Sequence, residues 1–285
     1  MIRRTRLTPA NIGVIVCGYP NESAVQVVAE CQKRGFTVSK FGLATDDIGN
    51  EKLFKVNNLG NVRVTKFSGS DARSKLELEI AELQRDGLFV VIADTTERIT
   101  NVYLYNILNV PFVLQCNEAE ALLKAIKHTE AAKNFAVVSG HMNKRLAAFD
   151  RCWSEWSKKY AGLFNEYELE YKSSSPLDTP LSLMASFSQL VNKDFGPHQI
   201  ADMEKDQQRK LGYPPSHITR EISFKNRSGT SSFVFRQSVD EKDGFMEGFG
   251  DSICFLAQKA HRTARPQVFS ILDVAEQNQH LMTGH

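Results

Sequence analysis

Apolar positions in this chain follow a strand period at some places and a helix period at others. The run Ile12-Gly-Val-Ile-Val-Cys17 is short, apolar and β-branched, and it ends at Gly18-Tyr-Pro20. That is the pattern of a buried parallel strand entering a turn. From Ser23 the period becomes helical. Ala24, Val27, Val28 and Cys31 share one face, and Lys33-Arg34-Gly35 supplies a basic last turn and a glycine stop. Residues 36–41 predict the next strand, which completes one strand–helix–strand unit.

Strands are then expected at 61–66, 88–93, 111–115 and 134–139. Between them fall helices at 72–85, carrying Leu76, Ile80 and Leu83, at 100–108 and at 118–127. The run Leu88-Phe-Val-Val-Ile-Ala93 is the strongest central-strand signal in the chain. Alternation of this kind predicts a doubly wound parallel sheet, that is, a Rossmann-like domain.

Past residue 140 the order changes. A long helix at 143–160 carries Trp153 and Trp156, most simply as core, and is followed by a strand at 167–171 and a helix at 181–191. A polar stretch, 194–216, is broken by Pro214-Pro215. Alternating strands at 217–226 and 231–239 flank Ser228-Gly-Thr230, which reads as a hairpin turn. A helix at 245–261 and a last strand at 268–274 close the pattern. The expected organisation is a basic segment, 1–11; a Rossmann-like domain, 12–140; an α+β domain with an open mixed sheet, 141–243; and a C-terminal helix and strand, 244–285, returning to the first domain.

Composition narrows the function classes. With 42% hydrophobic and 24% charged residues the chain is ordinary globular material, and a net charge of +2 gives no reason to expect nucleic acid. Cys17, Cys31, Cys116, Cys152 and Cys254 are scattered and form no C-x-x-C pair, which argues against a disulfide framework or zinc site. The histidines lack metal-ligand spacing, and His280 and His285 fall in an expected flexible tail. The longest apolar runs are strand-sized, short of the roughly 20 residues of a membrane helix. Arg3, Arg4 and Arg6 precede the first acidic residue, Glu22. Such a start reads either as an organellar presequence, with the mitochondrion as the expected address, or as a solvated basic tail of a cytoplasmic or plastid protein.

Several collinear segments resemble one family. They are Asn109-Val-Pro-Phe-Val113, Phe135-Ala-Val-Val-Ser139, Ala161-Gly-Leu-Phe-Asn-Glu-Tyr-Glu-Leu-Glu170, Asp206-Gln-Gln208 and Leu211-Gly-Tyr-Pro-Pro-Ser-His-Ile218. Further on come Phe233-Val-Phe-Arg-Gln237, Gly248, Ile253-Cys-Phe-Leu-Ala-Gln-Lys259 and Val268-Phe-Ser-Ile-Leu-Asp-Val274. Together they resemble the plant-type 4-hydroxy-tetrahydrodipicolinate (dihydrodipicolinate) reductases. The resemblance implies a nucleotide-binding domain, a substrate domain whose open sheet mediates oligomers, and hydride transfer from NADPH or NADH to a cyclic imine acid.

The motifs that carry that chemistry are altered. Where the family has G-x-x-G-x-M-G, this chain has Gly18-Tyr-Pro-Asn-Glu-Ser23. Pro20 has no N–H to offer a phosphate, and Glu22 puts a carboxylate where phosphates sit. The vestigial cofactor contacts are Gly18, Tyr19, Asn21, Thr95 and Thr96. Glu118 replaces a small residue near the nicotinamide place, and Asn117 reads as a helix N-cap. The histidine, the proton-donating lysine and the S-G-T turn of the substrate site have no clear counterpart in Lys172-Ser-Ser-Ser-Pro-Leu-Asp-Thr-Pro180, and the family's G-R pair is replaced by Lys242-Asp-Gly244.

No catalytic residue is therefore expected. If the protein is active, the donors are His141, Lys144 or Lys172, the first two of which also suit a simple helix start. The first reading is a catalytically lapsed reductase homologue acting as a structural or interaction subunit, without cofactor. It would bind other protein subunits, or copies of itself, through the second-domain sheet. The alternatives are an active NAD(P)H-dependent reductase with a rebuilt site and a module that binds a small ligand without turnover.

Overall fold

A computed structural model describes residues 8–45, 51–67, 70–116, 119, 121–123, 134–174, 181–214, 217–262 and 265–282. The basic start with Arg3, Arg4 and Arg6, the Asn117 cap, Glu118, most of the helix expected at 118–127, the stretch 175–180, Pro215 and His285 lie outside them. The chain folds as two units, one built from the residues up to Lys144 together with those from Phe245 onward, the other from Arg145–Gly244.

In chain order come β1 (Ile12–Tyr19), α1 (Glu22–Lys33), β2 (Thr37–Ala44), β3 (Lys52–Val56), β4 (Gly60–Thr65), α2 (Ser70–Arg85), β5 (Phe89–Asp94), α3 (Asn101–Ile107), β6 (Phe112–Gln115) and β7 (Ala136–Ser139). The next run is α4 (Lys144–Lys159), β8 (Tyr167–Ser173), α5 (Leu181–Val191), β9 (Ile200–Asp202), α6 (Lys205–Lys210), β10 (His217–Asn226) and β11 (Ser232–Asp240). The chain ends with α7 (Glu241–Arg262), β12 (Val268–Phe269) and α8 (Ile271–Met282).

The first unit is a doubly wound, mostly parallel sheet in the order β12-β7-β6-β5-β1-β2-β4-β3. Strand β1 is buried at every position because parallel partners, β2 and β5, flank it and both faces are covered. On one face Ile15, Cys17, Phe41, Leu43, Ile92 and Leu114 pack against Leu76 and Ile80 of α2 and Tyr105 of α3. The alternate residues Val14, Val16, Val91, Ala93, Val113 and Val137, all wholly buried, point to the other face. The stripe Ala24, Val27, Val28 and Cys31 of α1 is buried as its spacing predicts. Each such Val, Ile or Leu contributes about 1.5–3 kcal/mol of transfer free energy.

Four sequence expectations are corrected. Strand β3 was not expected; it pairs antiparallel with β4 at the sheet edge, around a turn with Asn58 at φ 63°. The final strand expected at 268–274 shrinks to Val268–Phe269, and α8 follows it. The cause is a cap. The Ser270 N–H and hydroxyl both donate to Asp273 Oδ2, at 2.6 and 2.8 Å, which satisfies groups at the helix start. His280, expected in a flexible tail, lies within that helix. The polar stretch 194–216 likewise contains β9 and α6.

Helix α7 packs tightly within the first unit. A Cβ at Gly248 would fall 1.7 Å from the Met142 carbonyl oxygen, so only glycine allows that approach. Beside it, Asp251 accepts from Arg34 Nη1 at 2.7 Å and is paired with Lys144.

The second unit is a mixed sheet in the order β11-β10-β8-β9. One face of it packs against an aromatic core. Trp153 of α4 meets Trp156, Phe187, Phe224 and Phe235 with ring centroids 5.1–6.0 Å apart, mostly edge to face. Trp153 is buried, and Trp156 packs partly buried on the same cluster. Period-2 alternation places Glu168, Glu170 and Lys172 on the opposite face. There Lys225 pairs with Glu170 at 2.9 Å and Arg236 with Glu221 at 2.5 Å. Because Trp153 touches rings from a helix and both long strands, Trp153→Ala is expected to cost about 3–5 kcal/mol. Urea denaturation followed by the loss of aromatic circular dichroism measures it.

Candidate functional site

In an open doubly wound sheet, ligands bind at the carboxyl ends of the strands where the winding reverses. Here that point lies between β1 and β5, because the chain leaves β1 toward β2 and leaves β5 toward β6. The residues that converge on it are Cys17, Gly18 and Tyr19 from β1, Thr45 after β2, and Asp94, Thr95 and Thr96 from β5.

This crevice is stitched shut by internal hydrogen bonds. The Thr95 N–H and hydroxyl both donate to the Cys17 carbonyl, at 3.1 and 3.0 Å. From the other side the Thr45 hydroxyl donates to the Gly18 carbonyl at 2.7 Å, and its N–H to the Tyr19 carbonyl at 2.8 Å. The Asn21 N–H also turns inward, to the Gly18 carbonyl at 3.0 Å. Gly18 has φ +119°, and a Cβ there would lie 2.1 Å from Thr95 Oγ1. Its glycine is therefore explained by the approach of a threonine. The Tyr19 ring is buried against Gly42 of β2, with its hydroxyl unpartnered.

The start of α1 is equally committed. Asn21 is the N-cap, and Glu22 stands in the first turn with its carboxylate accepting from Gln26 at 2.6 Å. A carboxylate at a helix N-terminus gains about 0.3–1 kcal/mol from the helix dipole, the interaction a phosphate would otherwise draw on.

Behind the crevice lies a sealed polar knot that sequence reasoning did not single out. Asp94, wholly buried, accepts from Tyr105 Oη at 2.7 Å, Asn101 Nδ2 at 2.8 Å and the Thr96 N–H at 2.7 Å. Asn101 Nδ2 also donates to Thr96 Oγ1 at 2.7 Å, which explains the inward turn of that threonine. Charge-assisted bonds of this kind lock β5 to α3. Burial first, and the Asp94 charge second, push the Cys17 thiol and the Tyr105 hydroxyl well up from their ordinary ranges. Cys31 is raised as well, mainly by burial. The signal available in the sequence was a carboxylate ending the most apolar strand.

The candidate donors lie in different units. His141 precedes α4, and its carbonyl accepts from Ser139 Oγ at 2.7 Å. Lys144 Nζ bonds Glu247 at 3.0 Å and also Asp251. Lys172 belongs to the second unit, half-buried on β8 opposite Glu221 of β10. There Glu170 is held below the usual carboxylate range, first by the hydrogen bond from Lys225 and only secondarily by Lys172.

A second residue was missed in the second unit. Arg220 shares the inward face of β10 with Ile222 and Phe224, is 1% exposed, and gives Nη1 to Asp150 Oδ1 at 2.8 Å. Its Nε and Nη2 are buried without partners. Each unmade bond of this kind costs about 1–3 kcal/mol. The period-2 pattern of β10 already turns Arg220 inward, which was the available clue. Among the described residues no cluster suits a metal ion, and no helix is long and apolar enough to cross a membrane.

The two units have the fold of the dihydrodipicolinate reductases. The dipicolinate-bound enzyme from Paenisporosarcina sp. TG-14 superposes with a TM-score of 0.53 over 91% of this chain and 97% of that one, at 16% identity. No protein-family model matches the chain. It is 29% identical over 185 residues to the chloroplastic 4-hydroxy-tetrahydrodipicolinate reductases 2 and 1 of Arabidopsis thaliana, a match covering 61% of this chain and 53% of each relative. The chain spans about half the length of the curated relatives it matches. In sequence the chain is thus similar to the plant 4-hydroxy-tetrahydrodipicolinate reductases, and in fold to a dihydrodipicolinate reductase.

Two expectations follow from the crevice. Gly18→Ala should destabilise the protein by about 1–3 kcal/mol, and by less in a Thr95→Ala background. A double-mutant cycle in urea is expected to give a coupling of about 1 kcal/mol. Cys17 and Cys31, buried and with raised thiols, should resist iodoacetamide in the native protein at pH 8 while exposed Cys152 reacts, as read by mass spectrometry. Because the folded state favours the neutral thiols, their contribution to stability is complete below the ordinary thiol value of 9.0 and declines as pH rises above it.

Proposed function

We propose that this chain keeps the reductase fold without the reductase chemistry and serves as an interaction subunit of an organellar protein assembly. The observation that carries the reading is the β1–α1 turn. Its carbonyls are occupied by Thr45, Thr95 and the Asn21 N–H, and the helix start already holds Glu22. A phosphate there would have to take the Asn21 N–H from the Gly18 carbonyl and sit beside the like charge of Glu22. Neither NADPH nor NADH is part of this reading.

The partner surface is the second-unit sheet. Its edge strand β11 exposes Phe233 and Val234, at 44% and 47%, and its outer face carries the charge pairs Lys225–Glu170 and Arg236–Glu221. An open edge of this kind is available for pairing with another chain, whether another subunit or a second copy. The chloroplastic names of the relatives favour the plastid over the mitochondrion as the organelle.

One observation favours a second reading: the relatives are named as reductases. On that reading Gly18, Tyr19, Asn21, Thr95 and Thr96 hold NADPH or NADH, and His141, Lys144 or Lys172 donates the proton to a cyclic imine acid.

Calorimetric titration of the purified protein with NADPH and NADH separates the two. No heat of binding at millimolar cofactor is expected. Micromolar binding would overturn the proposal, and turnover of a cyclic imine would then establish the second reading.

A further inference from the structure

We propose that Ser238 is an acyl-accepting nucleophile on the outer face of the second-unit sheet, with His217 as its base, whether or not the first unit takes a cofactor. The antiparallel register sets His217 of β10 opposite Asp240 of β11, and Thr219 opposite Ser238. Period-2 alternation turns all four side chains to the face away from the aromatic core. Ser238 Oγ lies 3.0 Å from His217 Nδ1 and 3.2 Å from Thr219 Oγ1. His217 Nε2 lies 3.9 Å from Asp240 Oδ2. A hydroxyl within hydrogen-bond reach of one ring nitrogen, with a carboxylate beyond the other, is the arrangement that activates a serine. Unlike the sealed knot behind the crevice, this group meets solvent. The His217 and Asp240 side chains are 25% and 40% exposed, and Ser238 is half-buried.

The carboxylate decides which nitrogen is the base. A neutral imidazole carries one ring proton, and Asp240 favours it on Nε2, which leaves the Nδ1 lone pair facing Ser238. Thr219, wholly buried, holds the Ser238 hydroxyl in place from the other side. In the first step Ser238 Oγ bonds to the carbonyl carbon of an ester while its proton passes to Nδ1, and the carbonyl electron pair moves onto oxygen. The C=O bond then re-forms, the bond to the alcohol oxygen breaks, and the alcohol leaves with the proton from Nδ1. Water repeats the sequence on the acyl-serine, giving a proton to Nδ1. The bond to Oγ breaks, the acid departs and Ser238 regains its hydrogen. The oxyanion faces water at this open site, so the acyl-serine forms slowly compared with a dedicated hydrolase. A sheet face half open to solvent suits small acyl esters.

The test treats the full chain with p-nitrophenyl acetate and, separately, with an alkyl fluorophosphonate, which loses fluoride to an attacking serine. Peptide mass spectrometry reads the modified residue, because surface lysines also take acetate. Both reagents are expected to mark Ser238 in the folded chain and to leave it unmarked in urea. His217→Gln should slow the labelling of Ser238 about 100-fold or more. Asp240→Asn should slow it less, and Asp240→Glu should restore it, which a purely structural role for Asp240 would not require. If His217→Gln fails to fold, the comparison of folded and urea-unfolded wild type still decides. A folded chain whose Ser238 takes neither reagent overturns the proposal. So does labelling that proceeds equally in His217→Gln or in urea, since the serine would then owe nothing to its neighbours.

Discussion

The carbonyls at the end of β1 are the constraint around which the first unit is arranged. A central parallel strand delivers its last C=O groups to the place where neighbouring strands diverge, and those groups must be satisfied by something. In a dinucleotide-binding turn, glycines let the backbone curl away and offer N–H groups to a phosphate. Here two threonines reach in from β2 and β5 and donate to the carbonyls. Gly18 leaves room for Thr95. The same shortage of space buries Tyr19 against Gly42 and holds Thr96 against Asn101.

The two units solve their packing by different means. The first relies on β-branched and aliphatic residues in a two-faced sheet, reinforced by one buried carboxylate whose acceptor sites are filled by three donors. The second uses rings: a cluster centred on Trp153 fills the inward face of a half-covered sheet, while the outer face is laced with opposite charges. Aromatic cores of this kind fill volume with few residues, which suits a unit of about one hundred residues with only one sheet face to bury.

Much of this was legible in the sequence, and the reasons for the exceptions are specific. Strands buried on both faces, such as 12–17 and 88–93, announce themselves as unbroken apolar runs. β3 does not, because an edge strand with Leu53 69% exposed has no hydrophobic pattern to display. The start of α8 was masked by Val268 and Phe269, whose strand character runs directly into the Ser270–Asp273 cap. The spelling of the cap was present, but strand propensity before it and apolar Ile271 and Leu272 after it read as one run. The altered β1–α1 turn was visible as missing glycines and an added acid. Its closure by Thr45 and Thr95 was not, since those contacts join residues far apart in the chain. Arg220 was hidden by the same alternation that identifies its strand: a charged residue in a polar-looking strand draws no notice until its face is known.

The order in which the chain is threaded has a consequence for its birth. The second unit is an insertion, complete within one continuous segment, whereas the first is assembled from two segments separated by it. Strand β12 docks on β7, more than a hundred residues upstream, and α7 returns to the Met142 region only after the insertion has been made. On a ribosome the inner unit has all its parts before the outer one does. The larger sheet must wait with its β7 edge uncovered until the last helices emerge, so the nascent chain carries its most apolar strands for longest in an unfinished state, and chaperone demand falls on the first unit.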